Sequence, residues 1–296
     1  MSAASRTRHR RTDRGAVLGL PRRTPTSKSP NILAGLGSVI WLALVAVPLY
    51  YLVLTSLRGE DNYLSQGALA WSGLTLGNYG DALRLGFLGY ALNSIVVTGA
   101  TILLVLGLAL PAAYAIVRGE SRAVRIAFQV ILLGLAIPAQ AVIVPVYLII
   151  TRLNLYDSLV AIILPTAAFS LPIAIIVLTS TLRDVPKELY ESMTVDGAGT
   201  ATIFARLVLP LARPGVITVG IFAGIGAWNG FLFPLVLTQS EELRVLPLGL
   251  STFQSQYTTN VPGLMAAVVL SALPIFALYL FGRRQLLSGL TAGFGK

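Results

Sequence analysis

The sequence predicts an all-α membrane protein with six transmembrane helices, both termini cytoplasmic, and a cytoplasmic helix-turn-helix between the fourth and fifth spans. Three observations carry this reading. Charged residues make up only 11% of the chain and the mean hydropathy is +0.78, whereas a soluble domain carries roughly a quarter charged residues. Six long stretches contain no Asp, Glu, Lys or Arg. The basic residues segregate to alternate connections between those stretches.

The elements follow in order. Residues 1–30 form a basic tail holding Arg6, Arg8, Arg10, Arg11, Arg14, Arg22, Arg23 and Lys28. It is expected to be a disordered topology anchor that touches anionic lipid rather than nucleic acid. Residues 31–296 form the membrane domain. Its spans are expected at Ile32–Leu57, Ala91–Val117, Ile126–Ile150, Ser158–Ser180, Pro214–Thr238 and Leu264–Phe281. Each is close to the 20 or so apolar residues that cross a hydrocarbon core about 30 Å thick. The first is too long for the apolar region of a secretory signal.

Charge sets the orientation. Besides the tail, one side collects Arg118, Arg122 and Arg125, then Arg183, Lys187, Arg206 and Arg213, then Arg283, Arg284 and Lys296. Of the 22 basic residues, only Arg58, Arg84, Arg152 and Arg244 fall on the other side. Positive residues favour the cytoplasm, so both ends are expected there. The net charge of +10 is thereby explained without a nucleic-acid partner.

The connections are unequal. Arg58–Tyr90 and Gln239–Gly263 are long and lie outside, and the second is polar, with Gln239, Gln254, Gln256, Thr258, Thr259 and Asn260. A loop of that length reads as a docking surface or as disorder. Inside, residues 183–211 are amphipathic rather than apolar. Pro186 suits a first helical turn, and a helix is expected to about Asp196, with Leu189, Ser192 and Met193 on one face. Gly197-Ala198-Gly199 breaks it, since glycine permits positive φ. Thr200 is expected to cap a second helix carrying Ile203, Phe204, Leu207 and Val208 as its stripe. Pro210 and Pro214 end it. The first helix is acidic, with Glu188, Glu191 and Asp196, which suits a protein partner better than anionic lipid.

The chemistry is mostly exclusion. There is no cysteine, and the single histidine, His9, sits in the tail. No Asp, Glu, His or Lys lies inside a span, where proton- and sodium-coupled carriers commonly place theirs. No G-x-x-x-x-G-K-[ST] loop is present to cradle ATP. The chain reads as a non-catalytic path or scaffold with no cofactor or metal of its own, driven by a partner. Among polar and aromatic groups at membrane depth, Gln140, Trp228 and Asn229 read as candidates for a solute path, with interhelical hydrogen bonding or interfacial anchoring as the alternative. Asn93 and Tyr147, near span ends, read as interhelical or interfacial groups. Pro138, Pro145, Pro165 and Pro172 are expected to kink the third and fourth spans.

The cytoplasmic segment resembles a known signature. It reads Pro186-Lys187-Glu188-Leu189-Tyr190-Glu191-Ser192-Met193-Thr194-Val195-Asp196-Gly197-Ala198, and closes on Leu207-Val208-Leu209-Pro210. This is similar to the EAA motif of ATP-binding-cassette (ABC) importer permeases. Glu191 stands at the Glu, Gly197 at the Gly, Leu207 where Ile is usual, and Leu209 and Pro210 at the end. Ser192 and Met193 replace the two alanines. Shorter matches resemble the maltose-type carbohydrate branch: Asn78-Tyr79, Asn93-Ser94, Ala112-Ala113-Tyr114-Ala115 with Arg118, Ala227-Trp228-Asn229, and Gly289-Leu290-Thr291-Ala292-Gly293. The resemblance runs from about Pro30 to the C-terminus.

It implies the rest of a machine in a bacterial plasma membrane. A second homologous permease subunit would complete a heterodimeric path. Two ATPase subunits, binding ATP and Mg, would each receive a coupling helix, here through Glu188, Glu191, Asp196, Gly197, Leu209 and Pro210. An extracytoplasmic sugar-binding protein or lipoprotein would dock at residues 239–263. Import of a di- or oligosaccharide is the expectation. A non-sugar solute such as a glycerol phosphodiester, or a scaffold or sensor that moves nothing, stays open at this point.

Overall fold

The computed structural model describes residues 32–65, 70–119, 121–253 and 260–292. The basic tail, and Gln254, Gln256, Thr258 and Thr259 of the polar loop, lie outside them. Among the described residues the regular structure is helical, and the single β feature is an isolated bridge between Arg58 and Leu74. The chain divides into two compact units, Met1–Val47 and Pro48–Lys296.

In the first unit the described part is the start of helix α1, Ile32–Ser56. Its Val39, Ile40 and Trp41 are exposed, as on a helix that is apolar all round and solvated by something other than water.

The second unit opens with the end of α1, from Pro48, followed by the short helices α2 (Glu60–Ser65) and α3 (Gly77–Ala82). A π-helical turn over Leu83–Phe87 then leads into α4, Leu88–Arg118. At 31 residues and 1.5 Å per residue, α4 is about 46 Å long. The third span, expected to be kinked, is divided into helices α5 (Arg122–Leu133) and α6 (Ile143–Arg152). The segments Arg122–Ala136 and Ala139–Arg152 meet at 97°. Pro138 stands at the break with extended backbone, where it has no N–H to give a helix.

Helix α7, Leu159–Arg183, starts at Ser158, whose Oγ accepts the N–H of Ala161 at 3.2 Å. Pro165 and Pro172 both lie inside α7, which is one helix of 25 residues.

The next connection holds α8 (Lys187–Val195), α9 (Thr200–Ile203), a π-helical turn over Phe204–Val208, and α10 (Leu209–Leu211). A 71° bend separates Thr200–Leu211 from Arg213–Trp228, with Pro214 in the first turn of α11, Arg213–Trp228. The expected fifth span is therefore interrupted after Trp228 and resumes as α12, Leu232–Leu237. Helix α13 (Leu246–Gly249) precedes α14 (Val261–Ala292), which begins before the expected Leu264.

Among the described residues, three segments are long and apolar enough to cross a membrane alone: Gly35–Ser56, Gly77–Arg118 and Leu159–Arg183. The count rises to five when each bent pair is one span, and α14 adds the shorter apolar stretch Val261–Ala277. Helices α4, α7 and α11 pack around small side chains: Ala109, Ala113, Ala167, Ala174 and Ala223 are all buried in one cluster. Where lipid is as apolar as leucine, small residues that let backbones approach are what hold helices together.

Candidate functional site

Helix α8 starts directly after Pro186, which precedes the helix rather than entering it. Its end is a Schellman turn. The N–H of Ala198 donates to the carbonyl of Met193 at 2.9 Å, and the N–H of Gly197 to that of Thr194 at 3.0 Å. This pair of bonds satisfies carbonyls that the helix end would orphan. Gly197 has φ +79°, so the expected turn is realised in the left-handed region. The next helix is not capped by Thr200. Gly199 takes the cap position, no side chain caps α9, and Thr200 is its first residue.

The face of α8 that carries Leu189, Ser192 and Met193 is not the buried one. Leu189 and Ser192 are exposed, and Met193 is half-buried. The residue that goes inside is Tyr190, at 2% exposure. Its ring stacks on Tyr114 of α4 with centroids 6.4 Å apart and planes 27° apart. The guanidinium carbon of Arg118, one turn further along α4, lies 4.9 Å from the Tyr190 centroid. Tyr114 meets Phe204 edge-on at 5.7 Å. Tyr114 and Arg118 share a face because residues four apart are neighbours on a helix. A cation over an aromatic ring contributes roughly 0.5–1 kcal/mol at exposed sites. Burial holds the Tyr190 phenol above its usual pKa, Tyr114 adds to the rise, and Arg118 opposes it.

The opposite face of α8 is open. Val195 is 86% and Leu189 42% exposed, and Glu188, Glu191 and Asp196 are exposed beside them. Leu209 and Pro210 are exposed on α10. The six residues singled out in this connection thus lie on its solvent-facing side, while Tyr190, Ile203 and Val208 hold it to the core.

A second constellation lies at the N-terminal end of α4. Asn93 Nδ2 donates to the carbonyls of Glu242 at 2.6 Å and Arg244 at 2.9 Å. Ser94 Oγ accepts the N–H of Leu246 at 2.8 Å. Asp157, in the turn before α7, accepts the N–H groups of Gln239 at 2.8 Å and Ser240 at 3.0 Å, and the Ser240 hydroxyl at 2.5 Å. These bonds, the Ser240 hydroxyl foremost, hold the Asp157 carboxyl below its ordinary pKa. Gly249 meets Tyr90 so closely that a Cβ there would lie 2.3 Å from the ring. The segment between α12 and α13 is therefore tied to α4 and to the α6–α7 turn. Sequence reasoning gave Asn93 an interhelical role and overlooked Asp157.

Between α4, α11, α13 and α14 lies a cavity of about 1100 Å³. Trp228 and Asn229 line it with Thr98, Leu246 and Phe276. Trp228 Nε1–H donates to the Ser271 carbonyl at 3.1 Å, and Asn229 Nδ2–H to that of Ile225 at 2.9 Å. Gln140 is not among the lining residues; it is exposed just after the 97° bend. Among the described residues, no three His, Asp or Glu side chains gather as a metal set would.

Residues 106–288 match a family model described as the binding-protein-dependent transport system inner membrane component. The chain belongs to that family. Protein ORF2 of Caldicellulosiruptor sp. (strain Rt8B.4), which carries the name of an ABC transporter permease, is 35% identical over 260 residues, covering 87% of this chain and 94% of that one. The diacetylchitobiose uptake system permease protein NgcG of Streptomyces coelicolor is 29% identical, covering 86% and 85%. A bacterial ABC transporter involved in import of the acidic polysaccharide alginate shares the fold, with a TM-score of 0.75 at 23% identity over 88% of this chain and 99% of that one. The family places the chain in a membrane, as an inner membrane component of a transport system.

Proposed function

We propose that this chain is the permease subunit of an ABC importer that carries a di- or oligosaccharide across a bacterial plasma membrane. In this reading six spans cross the bilayer: α1, α4, the bent α5–α6 pair, α7, α11 with α12, and α14. The charge asymmetry of the connections supports both termini, and the α8–α10 segment, on the cytoplasmic side. The sugar class is supported by the diacetylchitobiose named for NgcG and the alginate named for the fold neighbour.

The observation that carries the reading is the two-sided α8. One face is fastened by Tyr190, and the other presents Leu189 and Val195 beside three carboxylates. Asp196 sits at the C-terminal end of the helix, where a negative charge is locally unfavourable, so its use lies in contact with a partner. An ATPase cleft lined by basic and apolar groups fits this face. ATP-driven closure of two such ATPases moves α8 as a rigid body and rocks the spans between inward and outward openings. A second homologous permease completes a heterodimer, and ATP and Mg reside in the ATPase. A sugar-binding protein docks on residues 239–263, and Trp228 and Asn229 face the path.

The test is to co-express the chain with its partner permease, ATPase and binding protein, and to measure ATPase activity in lipid across a panel of loaded sugars. Stimulation by one sugar, lost in Gly197→Asp while the assembled complex is recovered, establishes the class and names the substrate. Failure of any ATPase to associate with the wild-type chain removes the importer reading.

A further inference from the structure

The two constellations described above lie on one helix. At its N-terminal end, α4 holds the α12–α13 segment through Asn93 and Ser94. At its last turn, α4 holds α8 through Tyr114 and Arg118, which embrace the ring of Tyr190. Between them α4 runs unbroken through Pro111 and packs along α7 through buried side chains. We propose that α4 is the member that links the docking segment to the coupling helix, and that the Arg118–Tyr190–Tyr114 stack is the joint through which it does so. This rests on the importer reading and deepens it by naming the residues that transmit.

The character of the joint follows from its chemistry. Helix α8 has nine residues, too few to hold its own shape or position in isolation. Its register against the spans is set by what it buries, and the one fully buried side chain on it is Tyr190. The Tyr190 hydroxyl has no hydrogen-bond partner in its buried position, so the ring face, not the phenol oxygen, does the fastening. Two residues one turn apart on α4 contact that ring, by stacking and by a guanidinium. A rotation or shift of α4 therefore carries the ring, and α8, with it. Phe204 extends the same stack to the segment after α9, so both short helices of the connection follow α4 together. Tyr190 and Arg118 are positioning residues: they act on the ATPase through the place they give to α8.

The experiment uses the full complex in proteoliposomes at saturating loaded binding protein, and reads solute transported per ATP hydrolysed, with ATPase recovery as the measure of assembly. Tyr190→Phe keeps the ring and couples as wild type. Tyr190→Leu and Arg118→Gln each lower solute moved per ATP by roughly tenfold, within the span ordinary for site-to-site coupling. Asn93→Ala, at the far end of α4, lowers it in the same direction. A role in mere folding would move assembly and leave this ratio unchanged. Wild-type coupling in both Tyr190→Leu and Arg118→Gln overturns the joint, and wild-type coupling in Asn93→Ala overturns α4 as the link. Where Tyr190→Leu loses its ATPase, Arg118→Gln, which leaves the buried ring in place, decides alone. A wild-type complex that the loaded binding protein does not stimulate counts against the importer reading and is told apart from both by that control.

Discussion

The N–H of Ala198 reaches back over Gly197 to the carbonyl of Met193 at 2.9 Å, and this bond fixes the angle at which the chain leaves α8. The turn depends on Gly197 at φ +79°, yet a Cβ built there meets nothing within 4 Å. The cost of a side chain is then conformational and not steric. Gly197→Ala is expected to destabilise the turn by about 1–2 kcal/mol. Gly197→Asn, whose residue type visits this region more readily, should cost less. Thermal unfolding of the purified complex, with ATPase retention beside it, checks the order Gly, Asn, Ala; equal stability of all three contradicts the backbone account.

Asp157 gives a pH dependence with a definite sign. Its folded pKa lies below the ordinary value of 3.8 because Ser240 and Gln239 donate to the carboxylate. A depressed pKa contributes stability that is fully present above the unfolded value and is lost as pH falls through the folded one. The tie between the α6–α7 turn and Ser240 should therefore hold at neutral pH and loosen in acid, below about pH 4. Asp157→Asn keeps a residue type that tolerates the observed φ of +58°. Hydrogen exchange at the amides of Gln239 and Ser240 should be faster in the variant at pH 7 and should approach the wild type in acid. A difference that grows as pH falls has the wrong sign.

The contact of Gly249 with Tyr90 predicts a steric effect of a different kind. Gly249→Ala puts a methyl against the ring, and overpacking of this sort costs typically 1–3 kcal/mol. Tyr90→Ala removes the obstacle and should restore much of that loss in the double variant. A double-mutant cycle on unfolding reads the coupling directly; additive effects mean that the two residues do not meet.

How much of this was legible in the sequence follows from the range of each interaction. The left-handed turn at Gly197, the stripe of Ile203 and Val208, and the long α4 and α7 were readable because glycine φ, helical spacing and hydropathy are local. The burial of Tyr190 was not, because its partners Tyr114 and Arg118 lie more than one span away, and spacing alone placed Leu189, Ser192 and Met193 on one face without singling out Tyr190. A lone aromatic on a short polar helix was the available hint. Asp157 looked like an ordinary loop acid because its partners, Gln239 and Ser240, are two spans on. Hydropathy cannot tell a straight span from one bent by 97°; Pro138 marked the place, while Pro165 and Pro172 gave the same signal within a helix that stays whole. Gly199 displaced Thr200 as the cap because the Schellman turn had already set where the chain re-enters helix.

The residues proposed for the path separate by position. Trp228 and Asn229 line the cavity between α4, α11 and α14, whereas Gln140 lies outside it, just past the bend of the third span. The Trp228 indole is anchored by its N–H to Ser271, so Trp228→Phe leaves that carbonyl without its donor, at a cost of about 1–3 kcal/mol where the group stays buried. Asn229 is exposed and bonds only within its own helix among the contacts described. Asn229→Ala should therefore spare the fold and lower solute transport by several-fold, the amount expected when about one hydrogen bond to a solute hydroxyl is lost. Gln140→Ala should transport as wild type. Uptake of labelled solute in proteoliposomes, at matched ATPase recovery, distinguishes the two. Equal uptake by Asn229→Ala and wild type removes Asn229 from the path. A selective loss in Gln140→Ala moves the path to the bend between α5 and α6, and leaves the cavity without a part in recognising the solute.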